Sequence, residues 1–257
     1  MKQSEDNGMG TSVTGRKMTG CVRTRTAVIR FPQVDPAGIV FYPRYFELVL
    51  RHFPDIPFRC CPVGVKTEFL RPNRFGDRIE LMFDDGGATG IWSLTGAMNG
   101  CEYFSMTPIE VGAPALPSSP TYRSKGEEVS DWCIGGDRRM QLSRYFELLN
   151  MEIETWFETT LGIPFAELHV AQRIGIPTVQ FDTRVVTMPE CGERMAIWLK
   201  LDKVGNRALT FTSWLVCGGE ALIENRQVVV FVRMHESRYK SMEIPEDIRL
   251  AFGKQAG

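Results

Sequence analysis

The chain of 257 residues is long enough for one large domain or for two domains of ordinary size. Its hydrophobic share of 43% and charged share of 24% are those of a soluble globular protein, which excludes disorder along the whole chain. The 30 basic and 31 acidic residues leave a formal charge of -1, so no overall field would draw the protein to nucleic acid or to an anionic membrane.

Cysteine usage and the N-terminal pattern narrow the class further. The 7 cysteines are odd in number and include no C-x-x-C pair, which fits neither a complete disulfide framework nor a zinc ribbon. Residues 1–20 hold no apolar stretch typical of a secretory signal, and no run approaches the roughly 20 apolar residues that cross a bilayer. We therefore expect a cytoplasmic location, no membrane partner, and a disordered N-terminal tail at 1–20.

The predicted elements of the first half begin with a helix. Pro43 suits the first turn of a helix that should run to about Phe53. Strand signals follow in the alternation at 79–81, and Asn99-Gly100 predicts a hairpin between the next two strands. Residues 112–120 hold three prolines, as a connector does, and we place the linker at 112–126.

The second half shows the same kinds of element. Ser143 can cap a helix that runs from Arg144 to about Thr160, and the β-rich runs at 209–212 and 228–232 predict strands. We interpret residues 236–257 as a C-terminal tail. Each half is therefore predicted to be one long helix followed by about four antiparallel strands, which is an α+β architecture.

An internal repeat relates the two halves. The pentapeptide RYFEL occurs at 44–48 and again at 144–148, and each copy is followed by the same order of strands and turns. The helices are offset by 100 residues, whereas the later glycines Gly76 and Gly192 are offset by 116. The sequence thus predicts two units, 21–111 and 127–235, with the first unit lacking about one helix's worth of chain after Phe53.

The first unit places a carboxylate a few residues before its helix, in the segment Asp35-Pro36-Ala37-Gly38-Ile39-Val40. The unpaired amides of a helix's first turn can hold the oxyanion that forms when a thioester carbonyl is attacked. A carboxylate beside that carbonyl can attack it or can deprotonate a water that does so. The alternative is structural, because Asp before Pro often forms a turn and Asp near a helix start often serves as a cap.

This segment resembles the signature of the 4-hydroxybenzoyl-CoA thioesterase family of hotdog proteins, an Asp-Pro-x-Gly motif followed by an aromatic residue, Pro and Tyr. The resemblance implies two fused hotdog repeats, each an antiparallel sheet wrapped around a helix, and hydrolysis of acyl-CoA without metal or organic cofactor. It places the catalytic carboxylate on Asp35 and the oxyanion-binding amide on Tyr42. Other substrate-binding positions that it implies are Gly38, Ile39, Val40 and Phe41.

The second unit departs from this motif. The alignment of the two RYFEL copies puts Gly135 opposite Asp35 and leaves Asp137 as a minor substitute. In the family, each Asp loop faces the helix and strands of the other unit, so we expect one working site per chain, with Asp35 facing a wall from about 140 to 215. Candidates for binding the CoA phosphates are the basic residues Lys203, Arg207 and Arg233.

Two other functions stay open at this stage. A hotdog hydratase or dehydratase usually needs a histidine beside the acid, and none of His52, His169 and His235 lies in a pattern that nominates a base or a ligand. A noncatalytic acyl-CoA or acyl-carrier binding protein would fit the degenerate second unit. The motifs of serine hydrolases, phosphate loops and zinc proteases are not found in the sequence. Family members commonly pair further, so we expect a homodimer of double-hotdog chains.

Overall fold

The computed structural model describes residues 20–57, 61–235 and 238–255. It contains an 11-stranded antiparallel sheet and a second, three-stranded sheet, with two helices packed into one core. This confirms the predicted α+β fold of two hotdog repeats. The tail predicted at 1–20 lies, apart from Gly20, outside the described residues.

The first repeat contributes one helix and five strands. They are β1 (Val22–Val28), α1 (Pro43–His52), β2 (Val63–Phe69), β3 (Arg78–Asp84), β4 (Ser93–Met98) and β5 (Cys101–Pro108). The second repeat contributes β6 (Tyr122–Arg123), β7 (Glu127–Glu128), α2 (Leu142–Thr160), β8 (Ile174–Gly175), β9 (Thr178–Val185), β10 (Arg194–Val204), β11 (Ala208–Cys217) and β12 (Glu220–Val230). The chain ends with β13 (Val232–His235), β14 (Arg238–Ser241) and α3 (Glu246–Gly253).

The large sheet is continuous across the two repeats. Its strand order is β1-β3-β4-β5-β2-β9-β12-β11-β10-β6, with β7 also paired to β10, so β2 and β9 form the seam. Lys66 lies opposite Asp182 in this seam, and the two positions are equivalent under the offset of 116 residues. The repeats are therefore related by an approximate twofold axis near this pair, as two subunits of a dimer would be.

The repeated pentapeptide lies at the contact between α1 and α2. The rings of Phe46 and Phe146 are fully buried and stacked, with centroids 4.6 Å apart. Beside them, Nη2 of Arg44 lies 2.8 Å from Oε1 of Glu147, which also pairs through Oε2 with Arg144 at 2.6 Å. The Arg, Phe and Glu of the repeated pentapeptide thus supply contacts between the two copies across the axis.

The offset between equivalent residues of the two repeats changes from 100 at the helices to 116 at the later strands, and the difference arises at and after the ends of the helices. Helix α1 has 10 residues and α2 has 19, and α2 is followed by a short π-helix, Glu167–Ala171, before the strands resume. The chain missing from the first repeat therefore corresponds to the second half of the helix and the segment behind it.

Three sequence predictions need correction. Helix α2 begins at Leu142 with Gln141 as its N-cap, so Ser143 is a buried residue of the first turn and does not cap it. The predicted linker at 112–126 includes β6, which pairs with β10 as β1 pairs with β3. Only its proline-rich part connects the repeats.

The predicted tail at 236–257 is also wrong, because it forms β14 and α3. Helix α3 buries Ile248 and Phe252, which are four residues apart and share one helix face. The ring of Phe252 packs against Trp156 and Phe157 of α2, with centroids 5.8 and 5.2 Å away. The spacing of these two apolar residues was present in the sequence, but the charged residues around them obscured the helical pattern.

Candidate active site

The loop that carries Asp35 is held by its own backbone. The amide of Asp35 donates to the carbonyl of Ile39 at 2.8 Å, and the amide of Gly38 donates to the carbonyl of Asp35 at 2.9 Å. Gly38 has a φ of 75°, the left-handed conformation that glycine adopts at little cost. Oδ1 of Asp35 accepts hydrogen bonds from the amides of Ala37 and Ile39 at 2.9 and 3.1 Å. Because both bonds fall on Oδ1, Oδ2 is the oxygen that remains for chemistry.

The start of α1 follows this loop directly. Pro43 has no amide hydrogen, and the amides of Arg44 and Tyr45 donate to the carbonyls of Phe41 and Tyr42 at 2.9 and 3.2 Å. The amide of Phe41 donates to Gln33 at 3.0 Å. None of these hydrogen bonds uses the N–H of Tyr42. Tyr42 is the position that was predicted to supply the oxyanion donor.

The Asp35 carboxyl is only partly exposed, and its surroundings alter its acidity. Burial raises its pKa above the ordinary value of 3.8, and the amides of Ile39 and Ala37 and the charge of His169 act in the opposite direction. The net effect of burial is a carboxylate that is a stronger base than a surface aspartate. A raised pKa suits a group that must take up a proton.

His169 is the site residue that the sequence did not reveal. It lies in the π-helix after α2, its ring stacks on Phe165 with centroids 5.3 Å apart, and it interacts electrostatically with Asp35 across the repeats. Its Nδ1 is buried and has no hydrogen-bond partner among the described residues. Burial lowers the pKa of His169, while Asp35 opposes this shift. The sequence did contain one indication of a role for His169, because this residue belongs to the segment that the first repeat lacks.

Tyr239 is a second residue that the sequence prediction missed. Its hydroxyl donates to the carbonyl of Ala37 at 3.5 Å, and its ring lies 5.5 Å from the guanidinium of Arg74. Burial raises the pKa of Tyr239, and the charge of Asp35 adds to this shift. Because Tyr239 lies in β14, the interpretation of 236–257 as a tail concealed it.

The second repeat supplies the other side of the site. The hydroxyl of Tyr42 donates to the carbonyl of Phe146 at 3.2 Å, and its ring lies 4.9 Å from that of Phe181. Phe146, His169 and Phe181 all belong to the wall predicted at 140–215, whereas Tyr239 lies beyond it. The Asp35 loop thus sits on the seam between the repeats.

The predicted binding residues are not all brought together. Ile39 pairs with Arg74, and Phe41 packs on Tyr42 with centroids 5.2 Å apart. Val40 is buried and its amide donates to Asn73 at 2.9 Å, so it belongs to the core.

The basic candidates lie apart from this loop. Lys203 lies in β10 and Arg207 in the turn that follows, both are exposed, and no contact described for either reaches the Asp35 loop. Arg233 donates to the carbonyl of Gln172, which makes it a support of the segment behind the π-helix. The structure therefore gives Arg233 a structural contact where a phosphate ligand was predicted.

The corresponding loop of the second repeat has the same backbone and a different acid. Gly135 occupies the place of Asp35, and Arg138 keeps the left-handed φ of Gly38, at 61°. Oδ1 of Asp137 accepts the amide of Arg139 at 3.1 Å, as Oδ1 of Asp35 accepts that of Ile39. Asp137 thus takes over one loop hydrogen bond, but it is exposed to solvent.

Cavities lie elsewhere on the protein. One of about 480 Å³ is lined by β3, β4 and the hairpin at Asn99, and one of about 230 Å³ lies between α2 and β10. Neither is lined by Asp35. Within the described residues there is no cluster of three or more His, Cys, Asp or Glu that could hold a metal ion, and no helix is long and apolar enough to cross a membrane.

Comparison with known proteins agrees with the fold. No family model and no curated protein sequence matches the chain. Among solved structures, it is similar to a Lactobacillus plantarum protein assigned as an oleoyl thioesterase, at a TM-score of 0.61 and 9% identity over 82% of this chain and 96% of that one.

Two further structures are similar over most of the chain. The 12:0-ACP thioesterase from Umbellularia californica has a TM-score of 0.58 and 12% identity over 85% of this chain and 94% of its own. An acyl-ACP thioesterase from Bacteroides thetaiotaomicron has a TM-score of 0.54 and 12% identity over 82% and 97%. At these identities the likeness shows a shared double-hotdog fold.

Proposed function

We propose that this chain is an acyl-CoA thioesterase with one active site, in which Asp35 is the nucleophile or general base and the Tyr42 amide binds the oxyanion. The observation that carries the proposal is the position of Asp35, whose raised-pKa carboxylate is held beside the start of α1 with Oδ2 unengaged by the loop. The similar double-hotdog structures, whose names describe thioesterases, support the same reaction class.

The chemistry follows from this arrangement. When the thioester carbonyl oxygen accepts a hydrogen bond from the Tyr42 N–H, the carbonyl carbon becomes more electrophilic. The same hydrogen bond stabilises the negative charge that develops on the oxygen. Oδ2 of Asp35 then attacks the carbon, the C–S bond breaks, the thiolate leaves, and water hydrolyses the resulting anhydride. In the general-base route Asp35 instead takes a proton from the water that attacks.

His169 favours a second candidate function. A hotdog hydratase or dehydratase needs a histidine beside an acid, and His169 in the π-helix of the second repeat and Asp35 each shift the pKa of the other through their charges. Such an enzyme would add water across the double bond of a 2-enoyl thioester and leave the thioester bond intact. The two reactions therefore have different products from one substrate.

A single assay separates the candidate functions. The full chain would be incubated with saturated aliphatic, aromatic and 2-enoyl acyl-CoAs, with free thiol followed by a thiol-reactive dye and the enoyl chromophore followed by absorbance. We expect thiol release that is lost in the Asp35→Asn variant. Loss of the enoyl absorbance without thiol would identify a hydratase, and binding of acyl-CoA without either change would identify a noncatalytic protein.

The location and assembly also remain proposals. We propose a cytoplasmic protein in which two double-hotdog chains pair, with no metal or organic cofactor in the reaction. Acyl carrier protein remains the alternative thioester source, because the names of two of the similar structures refer to it.

A further inference from the structure

Two phenylalanines lie exposed side by side next to the Asp35 loop. Phe31 is 77% exposed and Phe75 is 62% exposed, and their rings meet edge to face with centroids 6.4 Å apart. A single exposed apolar residue is ordinary, but adjacent large aromatic rings that remain open to water are typical of a binding surface. The two rings are therefore suited to contact a flat or apolar portion of a ligand.

The two rings are attached to the active-site loop through the backbone. Phe31 begins the 3-10 turn Phe31–Gln33, and the Gln33 carbonyl accepts the amide of Phe41 just before α1. Phe75 follows Arg74, which pairs with Ile39 of the Asp35 loop. A molecule bound at Asp35 that extends outward can thus reach this surface without crossing the repeat.

Each phenylalanine follows an arginine in the sequence, as Arg30-Phe31 and Arg74-Phe75. The guanidinium of Arg74 also stacks on Tyr239, whose hydroxyl contacts Ala37. Two arginines next in sequence to two open rings match a ligand that combines anionic groups with an apolar section. Arginine is the side chain best suited to phosphate, because its planar fork can donate two hydrogen bonds.

The second repeat acts as an internal comparison. The positions equivalent to Phe31 and Phe75 are Asp131 and Cys191, which meet in the same way, with Sγ of Cys191 lying 3.9 Å from Oδ1 of Asp131. Ser130 and Glu190 replace the two arginines. The repeat that lacks the carboxylate of Asp35 therefore also lacks both Arg-Phe dipeptides, although the backbone bridge from Ile39 to Arg74 recurs there from Arg139 to Glu190.

We propose that Arg30-Phe31 and Arg74-Phe75 form a binding surface for the pantetheine arm and the phosphates of coenzyme A, with the rings packed on the arm and the guanidinium groups on the phosphates. The inference rests on the proposed function, since it takes the Asp35 site to be the place of the thioester. It goes further by naming residues that hold the carrier of the acyl group.

Free coenzyme A is the probe, with its affinity for the full chain measured by titration calorimetry. Phe31→Ala, Phe75→Ala and Arg30→Ala should each raise Kd about five- to tenfold, because each removes apolar contact or a charged hydrogen bond from the complex. The matched control is Trp132→Ala, an exposed aromatic residue of the equivalent loop, which should leave Kd unchanged. Pantetheine, which has no phosphate, should bind the wild type and Arg30→Ala equally.

Each outcome decides the proposal. Equal Kd values for the wild type and the three surface variants would overturn it, as would an equal loss in Trp132→Ala or a wild type that binds an acyl carrier protein but not coenzyme A. Because binding is measured without turnover, a chain that binds coenzyme A through these residues but hydrolyses no acyl-CoA would retain this surface and refute the proposed enzyme.

Discussion

Asp35 and Gly135 occupy the same position in two loops whose backbone hydrogen bonds match. The bonds from Asp35 to Ile39 and from Gly135 to Arg139 are both 2.8 Å long, and the amides of Arg44 and Arg144 donate to Phe41 and Gln141 at 2.9 and 3.0 Å. The loop therefore forms without a carboxylate at this position. In the second loop the exposed Asp137 accepts the amide hydrogen bond that Asp35 accepts in the first, so that bond does not require a carboxylate at the position of Asp35.

Asp35 should lower the stability of the protein at neutral pH. The pKa of the Asp35 carboxyl is higher in the folded state than in the unfolded chain, so the folded state binds this proton more tightly. The free energy of unfolding therefore falls as the pH rises from the unfolded-state pKa through the folded-state pKa. Asp35→Asn should therefore unfold at a higher temperature than the wild type at pH 7. The difference should vanish below the ordinary pKa of 3.8, where both states are protonated.

The measurement is thermal unfolding of both proteins between pH 3 and pH 8, with exposed Asp137→Asn as a variant that should show no such difference. A variant Asp35→Asn that melts below the wild type at pH 7 would mean that the carboxylate stabilises the loop and serves as a cap.

A carboxylate restored at the second loop should not restore activity. Gly135 has an ordinary backbone conformation, and an added Cβ would lie 3.1 Å from Oδ1 of Asp137 and 3.5 Å from Nε2 of Gln141, both of which are side-chain ends. Gly135→Asp should thus fold, but the described residues of the first repeat include no counterpart of the π-helix that carries His169. In an Asp35→Asn background the added Asp should leave thiol release at background. Recovery of more than a few per cent would show that the His169 segment is dispensable.

His169 should control the acid limb of the pH profile. Protonated His169 favours the ionised form of Asp35, so its removal should raise the pKa of Asp35. If Asp35 must be ionised to act, the acid limb of kcat/KM should move to higher pH in His169→Gln. The control is His52→Gln at the far end of α1. Superimposable profiles for wild type and His169→Gln would exclude electrostatic coupling in solution.

The contact between the repeats should carry much of the stability. Phe146 is fully buried and stacks on Phe46 at 4.6 Å and on Phe181 at 4.8 Å. Phe146→Ala should cost about 3–5 kcal/mol in the free energy of unfolding. Exposed Phe31→Ala should change it by less than about 0.5 kcal/mol. Chemical denaturation measures both, and comparable losses would contradict this account of the seam.

The local patterns of the sequence predicted most of the framework. The two helices, the Asn99-Gly100 hairpin and the repeat were readable because each depends on neighbouring residues or on direct comparison of the two halves. The alignment of Gly135 with Asp35 was also correct, since both loops precede an identical pentapeptide. The sequence patterns did not predict the strand and the helix that follow residue 235.

The site residues that were missed depend on contacts between distant parts of the chain. Tyr239 reaches Ala37 across 202 residues, and His169 lies in an irregular segment without strand or helix periodicity. No local pattern encodes such a contact, because it exists only when the seam between β2 and β9 has formed. The sequence therefore singled out Asp35 and the span of chain that faces it, but not His169 or Tyr239 individually.

The most direct test compares Asp35→Asn with Asp137→Asn in the intact chain. Both changes keep the side-chain size and one oxygen that can accept the loop amides in the place of Oδ1, so the fold should persist in each. With an acyl-CoA that the wild type hydrolyses, kcat should fall by at least about a thousandfold in Asp35→Asn, on the scale of losing an essential nucleophile or base, and should stay within twofold in Asp137→Asn. Equal losses in the two variants, or full activity in Asp35→Asn, would contradict a single site built on Asp35.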